Sequence, residues 1–147
     1  MKIEFQMEGD VAETIRQKAG VELDSARSTL VRDAAIQTLQ RVIPMNPVET
    51  ARSRAAWVSM LEELGGTAPA GWEGPHPSAI EQGRQLGQTT SNDTASQSEI
   101  RLANGVSYVS YLEYGTSRMA PLAMARTALR QVAGQLASLF RWPQGGE

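Results

Sequence analysis

Cysteine is absent from the 147 residues, and histidine occurs only once. The first absence excludes disulfides and thiolate metal sites. The second leaves His76, flanked by Pro75 and Pro77, with no second histidine or cysteine and no activated nucleophile nearby in sequence. Metal binding would rest on carboxylates alone, and Glu62-Glu63 reads more simply as a solvated pair. Gly65-Gly66 and Gly105 belong to no phosphate-cradling loop that also carries Lys and Ser or Thr. No catalytic constellation emerges, so the chain is not expected to be an enzyme, and neither a cofactor nor a small-molecule substrate is expected.

Long apolar runs are also missing. The first residues, Met-Lys-Ile-Glu-Phe-Gln-Met-Glu, carry charge throughout and form no apolar core of a signal peptide. No later stretch reaches the length of a membrane span. A soluble, unexported protein without a membrane partner is expected. The net charge of −2 gives no general attraction to nucleic acid. Against these absences stand 41% hydrophobic and 20% charged residues, ordinary values for a globular chain of one-domain size.

Ile3, Phe5 and Met7 alternate with Glu4, Gln6 and Glu8, which predicts a half-buried strand ended by Gly9-Asp10. Asp10 and Glu13 resemble a capping box, opening a helical turn or two that stops near Gly20. A longer helix follows, capped by Asp24 or Ser25. Leu30, Val31, Ala34, Ala35, Leu39 and Val42 recur along it at helical spacing, and Pro44 and Pro47 end it. Residues 55–61 fit a strand, with helix as the competitor. Residues 65–76 form a Gly/Pro/Ala-rich loop around Trp72, and residues 78–86 a short helix weakened by Gly83. Residues 88–96, rich in Thr, Ser and Asn, read as a second loop. Ile100 and Leu102 alternate with Glu99 and Arg101 in another strand, closed by the Asn104-Gly105 turn. Residues 106–114 read as a short helix with Gly115 at its C-terminal end. After Pro121, a last helix is predicted with a stripe of Leu122, Ala125, Leu129, Val132, Ala133, Leu136 and Phe140, ended by Trp142-Pro143.

Residues 104–117, Asn-Gly-Val-Ser-Tyr-Val-Ser-Tyr-Leu-Glu-Tyr-Gly-Thr-Ser, are followed by Met119-Ala120-Pro121 and Met124. This segment resembles the signature of the neck or tail-completion proteins of tailed bacteriophages, a family of minor tail components. Its members show a strand, an Asn-containing turn, a Leu-Glu-Tyr-Gly segment, then Ser and a Pro-led helix. Upstream, Pro47-Val48-Glu49-Thr50-Ala51-Arg52 is similar to the family's Pro-Val-Asp-Thr-Gly-Arg. The two segments occur in the family's order and together span about half of the chain. Ala51 stands where the family has glycine, so a left-handed backbone at that position would be strained in this protein.

Taken on their own residues, Tyr108, Tyr111 and Tyr114 sit three apart and spread over neighbouring positions of one helix side, with Val109 and Leu112 nearer the core. Glu113 is the only acid between Asn104 and Arg141, among Arg118, Arg126 and Arg130, and can pair with one of them within the subunit or across an interface. The plain alternative is that the tyrosines are satisfied core residues and Glu113 a solvated acid; the resemblance favours a contact surface, since Tyr and Arg are enriched at binding hot spots. Arg126 and Arg130 lie one turn apart, with Arg141 near the same azimuth, and form a candidate DNA-facing set. An ordinary solvated face is the simpler reading of those arginines, because no stacking aromatics interleave them.

The expectation is a single α+β domain over residues 1–147: a small antiparallel sheet packed against a long helix in the N-terminal half and a C-terminal helix, with mobile loops near 65–77 and 88–97. The resemblance implies a structural virion protein of the head–tail neck, assembled in the host cytoplasm. It would complete or join the tail as a homo-oligomeric ring around the DNA channel, in contact with head-closure (connector) and tail proteins and, non-specifically, with genomic DNA. The implied contact residues are Tyr108, Tyr111, Glu113, Tyr114, Gly115, Arg118 and Pro121. The alternatives are a tail terminator that caps the tail tube, or a small DNA-binding protein using Arg126, Arg130 and Arg141.

Overall fold

The computed structural model describes residues 1–8, 21–47 and 51–139. The expected capping box at Asp10, together with Val48 to Thr50, Phe140, Arg141 and Trp142-Pro143, lies outside the described residues.

Strand β1, Lys2–Glu8, follows its alternation: Ile3 is buried and Phe5 and Met7 are half-buried, while Lys2, Glu4 and Gln6 face outward. Helix α1, Val21–Met45, presents Leu30, Val31, Ala34, Ala35, Leu39, Val42 and Ile43 to the core. It runs through Asp24 and Ser25, so neither residue caps it; Asp24 instead pairs with Arg27 at 2.9 Å. Pro44 lies inside the last turn rather than beyond it, and the helix stops one residue later.

Residues 55–61 are helical, not a strand. Helix α2, Arg52–Glu63, buries Ala55, Ala56, Trp57, Val58, Met60 and Leu61. A helix buried nearly all round shows a continuous apolar run with no visible period, which is why a strand fits the sequence equally well. The burial follows from its place: α2 packs against α1, against α3 (Pro77–Gln85) and against two strands of the sheet. Gly83 has a packing reason. Its Cα faces α2 so closely that a methyl group would run into the Arg52 carbonyl and come within 2.9 Å of Ala55 Cβ.

The second expected loop is largely a strand. β2, Gly87–Asp93, pairs antiparallel with β3, Gln97–Asn104, and β3 pairs antiparallel with β1, giving the order β1-β3-β2. Ile100 faces Phe5 on one side and Ser91 on the other; Leu102 faces Ile3 and Thr89. β2 is an edge strand whose residues are mostly exposed, so no apolar alternation marks it in the sequence; its β-branched threonines and its pairing to β3 make it a strand. Arg27, only 6% exposed, holds the hairpin turn by donating to Ser98 Oγ and the Thr94 carbonyl, and Ser28 donates to Asp93.

Beyond β3 come α4 (Val109–Tyr114), α5 (Met124–Ala133) and α6 (Leu136–Leu139). The expected C-terminal stripe holds within α5 at Ala125, Leu129 and Val132 and fails at its ends. The buried side of α5 is Met124, Ala125, Ala128 and Val132, with Leu129 half-buried, whereas Leu122, Ala133 and Leu136 are exposed. The helix begins after Leu122 and ends at Gly134, so the long continuous helix assumed for the stripe does not form. With α1 and α5 packed together beside a three-stranded antiparallel sheet, the fold is α+β.

Candidate functional site

The two segments singled out in the sequence meet in the interior through a chain of polar groups. Asn46, fully buried after α1, donates from Nδ2 to Ser53 Oγ at 2.7 Å and to the Pro47 carbonyl at 2.9 Å, and its Oδ1 accepts the Trp57 indole N–H. Asn104, 1% exposed at the end of β3, donates to the Ser53 carbonyl at 3.1 Å and accepts the Val106 amide at 3.1 Å. Ser53 therefore touches both, and the start of α2 is locked to the turn that opens residues 104–124. Buried amides with this many partners fix one arrangement, because any other leaves polar groups unpaired out of water. Just before α2, Ala51 has φ 59° and ψ 9°, the left-handed geometry that is strained for a residue with a Cβ.

From Asn104 the chain turns into α4. Val109 is buried, and Tyr108 and Leu112 pack half-buried on the core, whereas Tyr111 and Tyr114 are 60% and 62% exposed. Thus one tyrosine joins the core and two do not. Gly115, with φ 76°, ends the helix by donating to the Tyr111 carbonyl at 2.8 Å. A side chain there would also press on the Met119 carbonyl and Pro121 nitrogen, both 2.7 Å from the position of a Cβ. The chain reverses through a turn in which Thr116 and Met119 exchange backbone hydrogen bonds, and runs back beside α4. There Leu122 donates to the Leu112 carbonyl at 2.9 Å and Ala123 to the Glu113 carbonyl at 3.1 Å.

Glu113 organises this unit. It is 1% exposed and lies at the N-terminus of α5, whose own cap residue, Ala123, is left-handed (φ 49°) and supplies no side-chain hydrogen bond. One carboxylate oxygen of Glu113 accepts the Ala125 amide at 2.8 Å. The other accepts the Arg126 amide and the Arg126 Nε–H, both at 3.0 Å. The Arg126 guanidinium also donates to the Glu113 backbone carbonyl at 2.8 Å, and sits 4.9 Å from the centre of the Tyr114 ring. A carboxylate borrowed from another helix thus satisfies the orphan amides of the first turn of α5 and meets the positive end of its dipole. The Glu113–Arg126 pairing lies within the subunit, so Glu113 shapes the surface without being available to a partner.

What reaches the surface is apolar and positive. Tyr111, Tyr114, Met119 and Leu122 are exposed large apolar side chains, all on the hydrogen-bonded unit just described. Arg118 and Pro121 are exposed on the turn, and Arg130 is exposed one turn after Arg126. Of the proposed DNA-facing arginines, Arg126 is committed to Glu113 and Tyr114, Arg130 is exposed, and Arg141 lies outside the described residues. Among the described residues from 104 onward, Glu113 is the only acid and it is buried, so this stretch itself exposes no negative charge.

Sequence reasoning did not find Asn46 or Ser53, whose residue types carry no signal beyond polarity. It also missed Met119 and Leu122 as surface groups; the break between the turn and α5 exposes them. His76 is exposed before α3. Its loop is tied down by Trp72, 7% exposed, over which the Arg84 guanidinium sits 5.3 Å from the ring centre. Arg84 also bonds Glu62 at 2.7 Å, and that bond, outweighing partial burial, raises the arginine pKa above its ordinary value. No helix of the described residues is long and apolar enough to cross a membrane. Comparisons with protein-family models, curated proteins and solved structures found no match to this chain.

Proposed function

We propose that the chain is a non-catalytic structural protein of the head–tail neck of a tailed bacteriophage, which completes or joins the tail by assembling as a ring around the DNA channel. The observation that carries this reading is the exposure of Tyr111, Tyr114, Met119 and Leu122 on one hydrogen-bonded unit that also exposes Arg118 and is tied to α5 by Glu113. Several large apolar side chains exposed on one hydrogen-bonded unit are costly in water, and they support reading the unit as a surface covered by a partner. Aromatic and arginine side chains suit such contacts because they bury much area and lose little freedom.

Two further features support the reading. Asn46 and Ser53, which flank Pro47 and Arg52, tie the surroundings of the upstream segment to Asn104, the first residue of the downstream one. Ala51 takes a glycine-like backbone conformation at the position where the resembled pattern has glycine. The DNA-binding alternative draws less support, since Arg126 is spent internally.

Electron microscopy of the purified chain, alone and mixed with any portal and tail proteins found in its neighbouring genes, tests the function. A closed ring with a central opening wide enough for duplex DNA, seated between portal and tail, is expected. A monomer that binds none of those proteins and binds DNA with strong salt dependence would overturn the reading in favour of the DNA-binding alternative.

A further inference from the structure

The loop before α3 has the chemistry that the tyrosine surface lacks. Glu73, Pro75, His76 and Pro77 are all exposed there, and Glu81 is exposed one turn into α3. The loop is anchored from below by buried Trp72 and by the Arg84–Glu62 pair, so its tip is held outward rather than collapsed on the core. Each proline fixes its own φ and biases the residue before it toward extended backbone. A segment so restricted loses little conformational entropy on docking, and proline rings pack well on exposed aromatic faces. On α4 the exposed Tyr111 and Tyr114 offer such faces, one side of the Tyr114 ring being taken by Arg126, and residues 104–139 expose Arg118 and Arg130 but no acid.

We propose that the loop of residues 73–77 of one copy docks on the Tyr111–Tyr114 surface of a second copy, with Pro75 and Pro77 against the tyrosine rings and Glu73 facing Arg118. The proposal rests on the ring reading and gives that ring its contact. The two surfaces are different patches of the same chain, so the contact is heterologous. Each copy offers a free loop to one neighbour and a free tyrosine surface to the other, the arrangement from which closed rings are built. Glu113 and Arg126 act only as positioning residues: they fix the tyrosine surface and take no part in the contact. Opposite charge at the rim selects this register over tyrosine-to-tyrosine pairing, which would bring the arginines of both copies together.

Because the chain has no cysteine, a pair of introduced thiols reports the contact without background. Ser78 and Ser117 are exposed and flank the two surfaces without belonging to them. The double variant Ser78→Cys/Ser117→Cys, treated with a short bis-maleimide, is expected to give a ladder of covalent multimers on a denaturing gel. Each single variant stays at monomer and dimer. Adding Tyr111→Ala and Tyr114→Ala to the double variant removes the ladder, while the fold persists with a thermal midpoint lowered by no more than a few degrees, the loss of the Arg126–Tyr114 contact. In the cysteine-free chain, Glu73→Arg weakens self-association roughly tenfold, and mixing it with Arg118→Glu restores the affinity. A wild-type ring without the ladder would overturn the proposed contact and leave the ring reading standing. A wild-type chain that remains monomeric at every concentration, with no ladder, overturns both. A cross-link confined within one chain places the two surfaces side by side in a single copy and also overturns the contact.

Discussion

Replacing Glu113 by alanine removes the carboxylate that the N-terminus of α5 depends on. In the wild type this group is 1% exposed and accepts from the amides of Ala125 and Arg126 and from Arg126 Nε. Ala125 is buried, so its amide has no access to water once the acceptor is gone, a loss of about 1–3 kcal/mol. The Arg126 side chain is 47% exposed and can rehydrate, so its share is smaller, about 1 kcal/mol. Together with the cavity left by the side chain, the expected destabilisation of Glu113→Ala is about 2–4 kcal/mol. In a domain of this size that lowers Tm by roughly 5–15 °C. Glu113→Gln keeps an acceptor but presents an NH2 group to donors, and is expected to lose about half as much. Urea unfolding followed by circular dichroism reads both variants. A Glu113→Ala unfolding free energy within about 0.5 kcal/mol of wild type would refute the role assigned to this carboxylate.

Four further outcomes follow from the same geometry. Ala123→Gly relieves a left-handed alanine that is only half-buried and is expected to stabilise by about 0.5–1 kcal/mol, read by thermal unfolding. Ala51→Gly gives less, because the fully buried methyl contributes about 0.8 kcal/mol that offsets the relief. Gly83→Ala forces α3 away from α2 and is expected to cost about 1–3 kcal/mol, measured by urea unfolding. Arg27→Ala unties the β2–β3 turn from α1, and faster hydrogen exchange at the Thr94 amide, which bonds the Gln97 carbonyl, is the expected signature.

How much was legible in the sequence differs by element, for physical reasons. β1, β3 and α1 each bury one side, so their alternation or helical spacing shows in the residue order. α2 is buried on most sides and loses its period; β2 is an edge strand of polar residues and never had one. The C-terminal stripe was right inside α5 and overran it at both ends, because the helix starts only after the left-handed Ala123 and stops at Gly134, and nothing in an alanine announces that start. At the candidate site, the spacing of the tyrosines and the isolation of Glu113 among arginines narrowed the possibilities. The outcome was decided by backbone amides, which no residue type reveals. The tie among Asn46, Ser53 and Asn104 was likewise invisible, since it joins groups distant in the chain.

The account turns on whether the exposed tyrosine surface is what holds copies of this chain together. Native mass spectrometry of the wild type and of Tyr111→Ala/Tyr114→Ala, both at the same concentration and with unfolding midpoints compared, measures this directly. One discrete closed oligomer is expected for the wild type, and monomer for a variant that stays folded with only the loss of about 0.5–1 kcal/mol from the Arg126–Tyr114 contact. The same oligomer in both would contradict the account.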